Sequence, residues 1–380
     1  MNVVKRYYTF YFVLFFAWSA LYTLIAIYLN ESAGFKLSEI GSLMSALPII
    51  TLIFQPIWGA VSDGTNHKKR LLMLIMGANV FIALMLTVVS VKWMIVALYC
   101  LYTVFLCAQS PLTDAMAIAQ VNHSRKGSYG AIRSWGSMGY AIGALAVAQI
   151  VYHIGLKAIF YIAALGIGIS IFLLSKIPEN QVEVSRTNYL KDLKSLVQNK
   201  KYVFVLIYGF FIVGTFSGGD QYLGLYFRTH GIAVSEIGIL NFIAVFIEAL
   251  FIFYSKRLIQ LFGVEKMMII MNLTGMTRLL ILSFGSSWGM FVISSVLRGG
   301  FVGIFVPLFI ELISEIAPKS LTTSGISIYS AASSGIAAFL FTLLGGLIAD
   351  KWGYASLYGV YSVVMIMPML LFFGLKKTNK

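Results

Sequence analysis

The chain has 380 residues, of which 59% are hydrophobic and only 11% charged. Soluble domains carry about 25% charged residues, which excludes a soluble fold, and the short loops leave no room for a soluble catalytic domain. The formal net charge of +14 would suit a nucleic-acid partner, but its placement along the chain assigns it to membrane topology instead.

A helix that crosses the hydrocarbon core needs about 20 mostly apolar residues. Twelve stretches meet that requirement in chain order: 7–29, 39–61, 71–90, 93–118, 130–152, 157–176, 202–227, 235–256, 266–284, 287–313, 323–349 and 355–375. The first is too long for a removed leader and lacks a small-residue cleavage site, so it is read as span one. Span four holds both cysteines, Cys100 and Cys107. Seven residues of helix separate them by about 10 Å, too far for a disulfide. Span five is rich in small residues, and Gly139 and Gly143 are spaced for close helix contact, read here as packing. One substantial hydrophilic segment, 177–201, follows span six, with a short amphipathic helix expected over Tyr189–Val197. Spans nine and ten are divided only by Gly285, Ser286 and Ser287.

An internal repeat organises these spans. Ser38–Leu43 returns with one change as Ser235–Leu240, 197 residues later, and the Gly353–Tyr354 turn maps onto Gly155–Leu156. A register kept over most of each half argues for two copies of one unit. The division expected is a half over 1–176, a linker over 177–201 and a second half over 202–380. Two parallel copies in an apolar chain are the plan of many secondary transporters, with substrate bound between them. No Gly-x-x-x-x-Gly-Lys loop occurs, so ATP drive from this chain is disfavoured. His67, His123, His153 and His230 fall in loops or at span ends and form no metal cluster. Neither an enzyme nor a cofactor is expected.

With the N-terminus placed inside, 20 of the 28 Lys and Arg lie in cytoplasmic segments and five (Lys36, Lys92, Lys157, Arg228 and Lys351) lie outside. That bias puts both termini in the cytoplasm. The other three, Arg133, Arg278 and Arg298, fall inside spans together with Asp114, Asp220, Glu248 and Glu311. An ionisable residue within a span costs roughly 2.5–3.5 kcal/mol on insertion scales and marks a functional site by default. At 1.5 Å per residue, Glu248 and Arg278 both fall near the midplane and can pair. Asp220 and Arg298 can pair in the outer half, and Asp114 and Arg133 lie together nearer the cytoplasm. A midplane carboxylate beside an arginine changes its proton occupancy when that arginine moves, so Glu248 and Arg278 are the expected proton-coupling pair. Asn241 shares the face of Glu248, and Arg133, Ser137 and Tyr140 share a face of span five. Glu311 is read as interfacial.

Gly59-Ala-Val-Ser-Asp63, followed by Lys68-Lys69-Arg70, resembles the cytoplasmic loop after span two of the major facilitator superfamily. The usual Asp-Arg-x-Gly-Arg core is degraded here to Asp63-Gly-Thr-Asn-His67. Ser110-Pro111-Leu-Thr-Asp114-Ala, Tyr129-Gly130-Ala-Ile-Arg133-Ser-Trp135-Gly136-Ser137 and Gln55-Pro56-Ile-Trp58-Gly59 are similar to the phenylpropionate permease-like and nucleoside-symporter-like branch, related to lactose permease. Glu248 and Arg278 fit the same branch. The resemblance spans essentially the whole chain. It implies an all-α membrane protein of twelve transmembrane helices in two six-helix halves. It also implies proton-coupled uptake of a small organic solute by alternating access.

The expectation is therefore a multi-pass secondary transporter of the plasma membrane, surrounded by lipid, monomeric, coupled to protons and without a nucleic-acid partner. Substrate binding is expected at Asp114, Arg133, Tyr140, Asn241, Asp220 and Arg298. The conformational latch is expected at Gly59, Asp63, Lys69 and Arg70, with Asp63 at the cytoplasmic N-terminus of span eleven. The three cavity arginines suit an aryl acid; neutralised by Asp114, Asp220 and Glu248, they suit a sugar or nucleoside. The alternatives are an exporter driven by proton antiport, and a non-transporting sensor with the same fold. Retained intramembrane charges argue against the sensor.

Overall fold

The computed structural model describes residues 3–65, 67–124, 129–178, 198–316 and 322–378, apart from the side chains at 63, 122–124, 256, 314, 322–324, 327 and 373–378. All regular structure among these residues is helical. Helix α1 (Val3–Ile27) runs on into a π-helical turn, Tyr28–Ser32. It is followed by α2 (Leu37–Asp63), α3 (Lys68–Val88), α4 (Lys92–Ser124), α5 (Tyr129–Ile154) and α6 (Ala158–Ser175). Then come α7 (Lys200–Asp220), the short α8 (Leu223–Thr229), α9 (Val234–Phe262), α10 (Val264–Phe284) and α11 (Trp288–Ile316). The chain closes with α12 (Thr322–Ser330), a π-helical stretch Ala331–Ala337, α13 (Ala338–Val364) and α14 (Ile366–Thr378).

Eleven helical segments among the described residues are long and apolar enough to cross a membrane. The last, Ile328–Phe372, has 45 residues, about twice what the hydrocarbon core needs. Gly353 interrupts it with φ at 83°, a conformation open to glycine and strained for other residues. The break divides the segment into the eleventh and twelfth spans, and Gly155, its counterpart in the repeat, takes φ at 96°. The Gly285–Ser287 divider also holds, since α10 ends at Phe284 and α11 begins at Trp288. Helices α4 and α9 run beyond the expected spans, to Ser124 and Phe262. The amphipathic helix expected over Tyr189–Val197 lies outside the described residues.

By its contacts the chain forms two compact units. One comprises Met1–Phe35, Ile49–Ser185 and Gly231–Phe242, and the other Lys36–Pro48, Arg186–His230 and Ile243–Lys380. In the first, α1 packs on α5 and α6, and α3 on α4 and α6. The α1–α5 crossing is close because α5 offers glycine: a Cβ on Gly139 would stand 2.2 Å from the Phe12 carbonyl oxygen. In the second unit, α10 packs on α11 and α13, and α7 on α13.

The repeated hexapeptide has a local physical role. Glu39 accepts the Lys36 backbone N–H at 2.7 Å, and Glu236 accepts that of Ala233 at 2.7 Å. Each is one half of a capping box. Gly41 then lies against Gly346 within the second unit, and Gly238 against Ala144 and Ala148 within the first.

Buried tyrosines staple neighbouring helices. Tyr7 donates to the Met116 carbonyl, Tyr202 to Gly325, Tyr222 to Thr342, Tyr226 to Leu282 and Tyr358 to Gly219. A phenol buried in an apolar core needs such a partner.

Candidate functional site

Two clusters of intramembrane charge stand out, one in each unit. In the first, α1 presents Tyr11, Phe15 and Trp18 at i, i+4 and i+7, along one face. The rings of Tyr11 and Phe15 stack at 5.8 Å, and those of Phe15 and Trp18 lie 4.5 Å apart. The Tyr11 hydroxyl donates to Asp114 Oδ1 at 2.7 Å, and Ser110 Oγ donates to Oδ2 at 3.1 Å. Arg133 lies over Phe15, 4.4 Å from the ring centroid, a cation–π contact. Tyr129 hydrogen-bonds to both Asp114 and Arg133, so the two charges expected together share one site. Beside them a cavity of about 370 Å³ is lined by Trp18, Tyr22, Gln55, Cys107, Ser110 and Asp114. Pro111 also lines it and sits inside α4. A proline lacks the N–H that would bond the carbonyl four residues back, so the Cys107 carbonyl receives no helical bond from position 111.

In the second unit, α7 stops at Asp220 and the chain turns through Gln221 and Tyr222 into α8. A carboxylate at a helix C-terminus opposes the helix dipole. Two guanidiniums offset that: Arg278 Nη2 from α10 lies 2.5 Å from Oδ1, and Arg298 Nε from α11 lies 2.6 Å from Oδ2. The Arg278 side chain is 2% exposed, against 16% for Asp220 and 19% for Arg298. Both guanidiniums sit over Phe216, at 5.7 and 5.6 Å, and Phe216 stacks on Phe301. Arg278 Nε is buried and unbonded. Gly299, adjacent to Arg298, and Gly303 press α11 onto α9. A Cβ on Gly299 would stand 2.8 Å from Glu248 N, and one on Gly303 2.7 Å from Glu248 O. The turn of α9 bearing Glu248 is thereby held against the turn of α11 bearing Arg298.

The structure brings Asp220 and Arg298 together, as the sequence suggests, and adds Arg278 to the same carboxylate. Arg278, expected beside Glu248, is bonded to Asp220. Depth along the helix puts Asp220 in the outer half and Arg278 near the midplane, and the long arginine side chain reaches across that difference. Asn241 is half-buried in the first unit and donates to the Ile237 carbonyl of its own helix at 3.1 Å. Tyr140 is half-buried on α5. Of the latch residues, Gly59 and Arg70 are exposed. Lys69 donates to the carbonyls of Ser175 at 2.9 Å and Ile177 at 2.6 Å, and Arg6 to that of Lys176. These cations cap the C-terminal end of α6. The Asp63 side chain and residues 317–321, where span eleven approaches its start, lie outside the described residues. Sequence reasoning missed Tyr11, Phe15, Trp18 and Phe216. The i, i+4, i+7 aromatic face of span one was the signal available for the first three.

Buried charge clusters in two compact helical units, built on a repeat and threaded through apolar spans, define a membrane transporter. The chain belongs to the MFS_1 like family, whose model matches residues 4–360. It is 29% identical over 371 residues to the maltose permease of Geobacillus stearothermophilus, covering 98% of this chain and 94% of that one. The sucrose permease of Escherichia coli is 26% identical over 392 residues, covering 96% and 91%. The crystal structure of the nucleoside transporter NupG matches with a TM-score of 0.85 at 17% identity, over 100% of both chains, which shows the shared fold. The protein is thus a multi-pass integral membrane protein, a secondary transporter of small molecules and not an enzyme.

Proposed function

We propose that this protein is a proton-coupled symporter that carries a small neutral O-glycoside, a sugar of the oligosaccharide class, into the cell. The observation that carries the substrate class is Asp114, held by Tyr11 and Ser110 at the wall of a cavity that Trp18 and Tyr22 also line. A carboxylate with two fixed oxygens accepts a pair of neighbouring hydroxyls through charge-assisted bonds. Aromatic rings cover the C–H faces of a pyranose, and Arg133 adds planar donors. The same carboxylate repels an anion, which ranks aryl acids below sugars and nucleosides. Full-length similarity to maltose and sucrose permeases favours the sugar.

In this scheme Tyr140 and Asn241 extend the substrate site of the first unit, and Asp220 and Arg298 are the substrate-binding residues of the second. Glu248 carries the proton and Arg278 is its charge switch. The support is the unused Nε of Arg278: a guanidinium bonded to Asp220 through Nη2 retains a donor for a second acceptor. An adjacent guanidinium holds Glu248 ionised, and its withdrawal in a dry site lets the carboxylate take a proton. Gly59, Asp63, Lys69 and Arg70 form the cytoplasmic latch. The remaining assignments are a monomer in the plasma membrane with both termini cytoplasmic, working as two halves joined by 177–201.

Counterflow in proteoliposomes tests the substrate class. Maltose or sucrose should exchange, and Asp114→Asn should abolish exchange. Exchange of uridine alone, or of phenylpropionate alone, would overturn the glycoside assignment.

A further inference from the structure

The Trp18 ring forms part of the cavity wall, yet its indole nitrogen points away into the core. The indole N–H donates to Gln109 Oε1 at 3.1 Å. Gln109 Nε2 donates to Asn79 Oδ1 at 2.7 Å, and Asn79 Nδ2 donates to the Tyr102 carbonyl at 2.8 Å. Gln109 and Asn79 are fully buried, and the cavity lining includes neither. The relay crosses α1, α4 and α3 before returning to α4. Its two ends each have one role, because an indole N–H only donates and a backbone carbonyl only accepts. Both amides are therefore fixed in one orientation. A flip of either sets donor against donor or oxygen against oxygen, and a buried orphan of that kind is costly.

We propose that Asn79 and Gln109 are positioning residues that lock the Trp18 ring as the stacking platform for substrate. On that basis Asn79, which touches no substrate, sets affinity. The inference rests on the cavity being the substrate site.

Two measurements test it. In maltose counterflow, Asn79→Ala should raise the half-saturating concentration by about tenfold and leave the maximal rate within about twofold. Trp18→Phe keeps a ring and loses the N–H, so it detaches from the relay. Adding Asn79→Ala to it should bring no further loss, as a double-mutant cycle reads for coupled residues. Independent, additive losses would overturn the proposal. The second measurement needs no solute. With Trp18 as the sole tryptophan, the other five replaced by Phe, Asn79→Ala should shift Trp18 emission to the red and lower its anisotropy. Unchanged emission and anisotropy would overturn the relay even where maltose is carried. Failure of wild type to exchange maltose would instead strike the glycoside assignment, and the emission shift would still decide the relay.

Discussion

Asp220 holds two guanidiniums on one carboxylate, and their burial ranks what its loss costs. Asp220→Asn leaves Arg278, the more buried cation, without its anion, and breaking a buried pair from one side costs about 3–5 kcal/mol. The melting temperature of the purified variant should fall steeply, and Arg278→Met in the same background should restore part of it. Arg298→Met, which empties a more exposed position, should cost less. Equal losses for Arg278→Met and Arg298→Met would contradict the burial ranking. Arg133→Lys keeps the charge but loses the planar fork that lies over Phe15 and meets Tyr129. Substrate binding should weaken by about tenfold while expression stays normal, and wild-type affinity would remove Arg133 from the site. These residues were legible because an ionisable group in an apolar span has few structural excuses. Their pairing was less legible. Depth along the helix sorts charges into layers, but a long arginine side chain reaches across layers, and Arg278 Nη2 bonds Asp220 from the layer next to its own.

Helix crossings in this chain are set by glycines facing backbone. Gly139 meets the Phe12 carbonyl, whereas a methyl group on Gly168 of α6 would meet nothing within 4 Å. Gly139→Val should cost at least about 1–3 kcal/mol by overpacking, and Gly168→Ala should leave the melting temperature unchanged. A neutral Gly139→Val would contradict the close α1–α5 approach. The spacing of Gly139 and Gly143 showed in the sequence that a close contact was available, and only the fold supplied α1 as its partner. The hexapeptide repeat was plain in the sequence, but its physical content was not. Glu39 and Glu236 cap their helices, and Gly41 and Gly238 admit close neighbours. Pairwise caps and crossings are properties of three dimensions that a repeat only flags. Tyrosine staples such as Tyr222 to Thr342 were hidden for the same reason, since tyrosine in an apolar stretch looks the same whether it packs, lines a cavity or donates to a distant carbonyl.

At the scale of the molecule, composition alone fixed the class, because so apolar a chain satisfies its backbone in a membrane only as helices or a closed barrel. We propose that the lysine and arginine bias sets its orientation, with both termini cytoplasmic. Single cysteines at Ser185 and His230, in a background lacking Cys100 and Cys107, should label from opposite sides of intact cells, and labelling of both from outside would sink that orientation. Substrate identity was the least legible property, since sugars, nucleosides and acids all ask for aromatic faces with a few polar groups and differ in the placement of single oxygens. Proton coupling through Glu248 is tested most directly by solute uptake into proteoliposomes under an inward proton gradient, with counterflow run beside it. Wild type should concentrate maltose in response to the gradient. Glu248→Gln, locked in the neutral form, should retain counterflow and lose all concentrative uptake. Gradient-driven accumulation by Glu248→Gln would contradict the assignment and move the proton site elsewhere, with Asp220 and Glu311 as the next carboxylates to test.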